Sequence, residues 1–74
     1  MATEKDQIQR ARAEQCRRAR RRAWEAAKLR PGYHGVAPDD GPLLRAQTRY
    51  VETGDEGTWA LELGRWAAQW GGRS

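Results

Sequence analysis

Residues 1–30 constrain the fold of this chain more than any other feature. Ala, Arg, Gln and Glu dominate them, and all four are good helix formers. The pattern predicts one helix over 1–30. Thr3 caps its start, with Asp6 three residues on as an approximate capping box. Pro31 followed by Gly32 ends it. The inward stripe reads Ile8, Ala11, Ala19, Ala23 and Ala26, interrupted by Gln15 and Arg22. Such a stripe is mostly methyl groups and buries little apolar area, so it holds weakly. Trp24 and Leu29 are the large anchors. The last turns are therefore expected to dock on the rest of the chain, and the first turns to project or fray.

The stretch 31–41 (PGYHGVAPDDG) reads as a loop, rich in Pro and Gly. A second helix is expected over Pro42–Glu52, with Asp40 as N-cap, Pro42 in its first turn and Gly54 at its end. Leu43, Leu44, Ala46, Gln47, Tyr50 and Val51 share one face at a 3.6 period. A third helix is expected over Asp55–Trp70, opened by a capping box of Thr53 and Glu56. Its stripe is Trp59, Ala60, Leu63, Trp66, Ala67 and Trp70, with Leu61 pointing away. Residues 71–74 are expected to form a mobile tail. A hairpin over 48–63, with TGDEG as its loop, is the alternative for this half. The 3.6 period running on to Trp70 favours the helix. The expected fold is small and mainly α: a long basic N-terminal helix plus a compact two-helix, Trp-rich unit over 42–70. The alternative is α+β with the hairpin.

The chain has 74 residues, room for one small domain over 1–74. A chain this short buries only roughly 60% of its unfolded surface. Its single cysteine, Cys16, closes no intrachain disulfide, so a reducing cytosol fits best. No apolar run approaches the ~20 residues that span a bilayer. The basic N-terminal stretch lacks the apolar core of a signal peptide. Together these lead to the expectation that the chain acts in a cytoplasm.

Catalysis is the weakest option, because Cys16 lies mid-helix and nothing orients the lone His34. One Cys and one His cannot supply four zinc ligands. Asp39-Asp40 lacks a calcium-loop pattern, and no GK[ST] follows a glycine. The expectation is a non-enzymatic protein with no cofactor, no metal and no small-molecule substrate.

Charge carries the functional signal. Residues 1–30 hold ten bases against four acids, a local charge of +6, while residues 31–74 carry −2. Such asymmetry suggests two faces with two kinds of partner. Arg17, Arg18, Arg20, Arg21 and Arg22 put five guanidinium groups within six residues. Arg10, Arg17, Arg21 and Lys28 align on one side over about 27 Å, at 1.5 Å per residue. Like charges at i, i+4 repel, and a polyanion offsets that repulsion. Arg10, Arg17, Arg18, Arg20, Arg21, Arg22 and Lys28 are thus the candidate contacts to RNA or DNA phosphates. The third helix offers a near-neutral outer surface, unlike a recognition helix that reads base edges. A membrane surface fits poorly, because the basic helix lacks a bulky apolar face. Tyr33 and His34 in the loop, with Trp70 near the C-terminus, are the candidate contacts to a protein partner.

The opening MATEKDQIQRARAEQC and the run RRARRRAWEAAKLR feeding a small C-terminal unit resemble the very short transcription regulators of lytic Xanthomonas phages. The resemblance implies binding to bacterial RNA polymerase near the amino terminus of its β′ subunit. It also implies inhibition of σ-dependent initiation and read-through of terminators together with NusA. Two alternatives stand beside it. One is a sequence-neutral RNA or DNA binder without a polymerase partner. The other is an inhibitor of a host defence complex.

Overall fold

A computed structural model describes residues 3–33, 35, 37–39 and 41–71, and side chains up to residue 69. Helix α1 spans Glu4–Lys28, α2 spans Gly41–Thr53 and α3 spans Glu56–Trp66, followed by a π-helical turn over Ala67–Gly71. The fold is small and mainly α. Among the described residues there is no strand, and residues 48–63 form the end of α2, a tight turn and most of α3. The hairpin alternative is therefore overturned. The 3.6-residue apolar period of Trp59, Leu63 and Trp66 outweighs the short Trp59-Leu61-Leu63 alternation, because only the helix buries both Trp59 and Trp66.

Thr3 and Asp6 make a full reciprocal capping box at the start of α1. The Asp6 backbone N–H donates to Thr3 Oγ1 at 3.1 Å, and the Thr3 N–H donates to Asp6 Oδ2 at 3.3 Å. The helix stops at Lys28 rather than at residue 30. Arg30 precedes Pro31, which disfavours helical backbone there. Leu29 is the C-cap, and its N–H donates to the carbonyls of Ala26 and Ala27. The chain reverses through Gly32, whose φ of +81° suits glycine. Leu29 consequently lies 86% exposed and anchors nothing.

Helix α2 ends where the sequence expected, at Gly54 with φ +82°, which donates its N–H to the Tyr50 carbonyl at 2.8 Å. The expected N-cap, Asp40, lies outside the described residues. Helix α3 opens differently from the expectation. Asp55, not Thr53, is its N-cap, accepting from the Thr58 N–H at 3.3 Å. Thr53 is already used at the end of α2, where its hydroxyl donates to the Arg49 carbonyl and accepts from the Asp55 N–H. The α-helix stops at Trp66, and the next turn widens to the π form instead of continuing to Trp70.

The core is Cys16 and Ala27 from α1, Leu43, Ala46 and Tyr50 from α2, and Trp59 and Trp66 from α3. Ala19, Ala23, Trp24, Tyr33, Leu63 and Ala67 pack around it. Helix α2 lies on α3, and α1 crosses α2 and the π turn. The buried face of α1 is turned from the expected one. Ile8, Ala11 and Ala26 are exposed, and Cys16 and Ala27 take the centre. The molecule measures 46 × 20 × 17 Å. Twenty-five residues of helix extend about 37 Å, so α1 sets the long axis.

Candidate nucleic-acid interface

With Cys16 and Ala27 facing the core, the rest of α1 is placed by its turn of about 100° per residue. Arg10, Arg17, Arg21 and Lys28 fall along one flank of the outward face. Arg18 and Arg22 fall along the other. Glu14 and Glu25 lie between the two flanks. All eight residues but Glu14 are exposed.

The acids between the flanks supply part of the offset to like-charge repulsion. Glu14 accepts from both neighbours: Arg17 Nη2 reaches its Oε2 at 2.7 Å and Arg18 Nε reaches the same oxygen at 3.0 Å. The Arg17 guanidinium, and then Arg18, hold the Glu14 carboxyl below its usual value. Lys28 pairs with Glu25 at 3.3 Å. These are exposed pairs, with Arg17 and Arg18 side chains 68% and 71% accessible. Exposed pairs exchange readily for other anions, since each is worth little in water. The arginines are thus ordered by Glu14 and still open to a phosphate.

Arg20 departs from the rest. It is half-buried, and its Nε is enclosed without a hydrogen-bond partner. It lies on the side of α1 that meets residues 37–39. Between them is a groove of about 500 Å³ whose wall is Arg17, Arg20, Arg21 and Lys28 on α1, with Pro38 and Asp39 opposite. Trp24 lines it too, with Lys28 Nζ 4.5 Å from the ring centroid. The indole Nε1 is enclosed and unpartnered. From the sequence, Trp24 is expected only as an anchor of the core. The signal for more is its spacing, four residues after Arg20 and four before Lys28, which makes the three neighbours on one helix face.

Arg12 is a base with a structural role. It reaches from α1 to the end of α2, donating from Nη1 to the Val51 carbonyl at 3.1 Å, with its guanidinium carbon 5.9 Å from the Tyr50 ring centroid. Tyr50 in turn donates its hydroxyl to Gln15 Oε1 at 2.6 Å.

Of the candidate protein contacts, Tyr33 is half-buried and packs against the core. His34 and the side chain of Trp70 lie outside the described residues. The outer face of α3 is near-neutral, with Arg65 paired to Glu62 at 3.5 Å. Cys16 is fully buried, and that burial pushes its thiol up from the ordinary value against an opposing pull from Arg20. Among the described residues, no group of three or more His, Cys, Asp or Glu is placed to hold a metal ion. Among them, too, no helix is long and apolar enough to cross a membrane. Comparison of the chain with protein-family models, with curated proteins and with solved structures returns no match.

Proposed function

We propose that this chain is a small non-enzymatic regulator that binds the phosphates of RNA or DNA through the outward face of α1. The observation that carries this is the basic flank Arg10, Arg17, Arg21 and Lys28, exposed along α1. Four cations on about 27 Å of rigid helix match a polyanion. They read no base edges, so binding is sequence-neutral and set by phosphate contacts. The proposal extends to a protein partner: the chain docks on bacterial RNA polymerase, inhibits σ-dependent initiation and promotes terminator read-through. That part rests on the sequence resemblance alone.

The test is RNA binding by fluorescence anisotropy across a salt series. Each phosphate contact contributes about −0.7 to the slope of log K against log salt on a single strand and about −0.9 on a duplex. Replacing Arg10, Arg17, Arg21 and Lys28 with Gln is expected to flatten the slope by up to about 3. An unchanged slope refutes the assigned face. Pull-down from bacterial lysate with and without nuclease tests the partner. Polymerase subunits recovered in both support docking. Proteins lost with nuclease leave a nucleic-acid binder without a polymerase partner.

A further inference from the structure

We propose that the groove between α1 and residues 37–39 receives one unpaired nucleotide of a single strand, its base stacked on Trp24 and the strand's phosphates to either side held by Arg17, Arg21 and Lys28. The inference rests on the phosphate-binding reading above and narrows it to single-stranded nucleic acid.

Three observations carry it. First, the groove combines the two parts that single-strand sites use, a cationic wall and an aromatic platform. Arg17, Arg21, Lys28 and Trp24 all line it, with the Glu25 carboxylate beside Lys28. Its volume of about 500 Å³ lies within the range of small-ligand sites. Second, the platform is already occupied by a displaceable cation. Lys28 Nζ sits 4.5 Å from the Trp24 ring centroid and is shared with exposed Glu25. A base sliding onto the ring takes the place of the ammonium, which swings on its flexible stem to the adjoining phosphate. Third, Asp39 stands on the opposite wall. A carboxylate repels phosphate but accepts from the amino and imino groups of a base edge, so it orients the base inward and the phosphate toward α1. Arg17 and Lys28 are about 16 Å apart along the axis, room for a few nucleotides of extended strand. A duplex keeps its bases paired and offers Trp24 no open ring.

The experiment uses the full chain and three probes at about 0.15 M salt: a 12-nucleotide RNA without self-complementarity, the same RNA annealed to its complement, and adenosine monophosphate. The single strand is expected to bind at least about tenfold tighter than the duplex, and far tighter than the mononucleotide. Trp24→Leu is expected to lose about tenfold on the single strand, the effect of removing one stacked base, and several-fold less on the duplex. Trp24 also packs on the core, so a second measurement uses the unaltered chain. RNA carrying 4-thiouridine is photocrosslinked and the adduct mapped. A crosslink within the tryptic peptide of residues 23–28 supports the site. Equal affinity for strand and duplex, or crosslinks confined elsewhere, overturns the inference while the phosphate reading stands. Mononucleotide affinity equal to that of the strand overturns it in favour of a free-nucleotide site. Loss of all RNA binding refutes both.

Discussion

Replacing Arg12 tests how α1 is held to the rest of the molecule. The last four carbonyls of a helix lack partners within it. In α2 the Tyr50 carbonyl takes the Gly54 N–H, and the Val51 carbonyl takes Arg12 Nη1 from α1. Arg12 therefore caps a helix thirty-nine residues away and brings positive charge to its negative end. A hydrogen bond from a charged donor is worth about 1.5–3 kcal/mol, and a contact with the Tyr50 ring adds about 0.5. Arg and Ala have similar helix propensity, so Arg12→Ala isolates the contact. We expect a loss of about 2 kcal/mol, or about 8–16 °C in Tm for a chain of this size. At 0.05–0.15 kcal/mol per residue, the whole fold holds only about 4–11 kcal/mol.

Gly54 sharpens the test. A Cβ there falls 3.0 Å from Arg12 Nη2 and 3.3 Å from Cζ. Gly54→Ala also places alanine at φ +82°, a cost of about 1–2 kcal/mol. In the wild-type background the Arg12 guanidinium must also give by a few tenths of an ångström. The two losses overlap, so the double variant is expected to fall short of their sum by about 0.5 kcal/mol. The assay is urea unfolding followed by circular dichroism, with Arg22→Ala as an exposed control within about 0.5 kcal/mol of wild type. Arg12→Ala behaving like the control refutes the clasp. Additive losses refute its overlap with Gly54.

Two further predictions follow from single side chains. Asp55 caps α3 and accepts from Arg49 Nε at 2.6 Å; Arg49 first, then Thr58, holds its carboxyl below the ordinary 3.8. A depressed carboxyl contributes stability that is present above its ordinary value and lost as pH falls through the folded one. Asp55→Ala should thus lower Tm at pH 7 and lower it progressively less as melts are run below pH 3.8; a pH-independent difference would contradict the role. Cys16 is 0% exposed, so maleimide labelling at pH 8 should be slow in buffer and rise with urea in step with the circular dichroism transition. Labelling of the native chain at the rate of a free thiol would show that α1 does not bury this face.

Helix existence was legible in the sequence because it depends on local chemistry. The Thr3–Asp6 box, the stop ahead of Pro31 and the left-handed Gly54 are set by residues within a turn of one another. The separation of a basic helix from a near-neutral, Trp-rich unit was likewise readable, since charge and apolar period are properties of the string. The Leu61 exposure and the burial of Trp59 and Trp66 followed from one 3.6 period.

The rotation of α1 was not legible. Its apolar residues are small and scattered, so several faces score alike, and the face is chosen by what α2 and the π turn present. Cys16 and Ala27 join the core cluster with residues of α2 and α3, while Ile8, on a different face of α1, is 43% exposed. The same rotation sorted the basic residues. It left Arg17 and Arg21 outward, drew Arg20 into the groove wall beside residues 37–39 and made Arg12 a cap for α2. Local propensity made the helices and supplied the charge. Only tertiary packing, acting between residues more than thirty apart, decided which arginines hold the fold together and which face solvent.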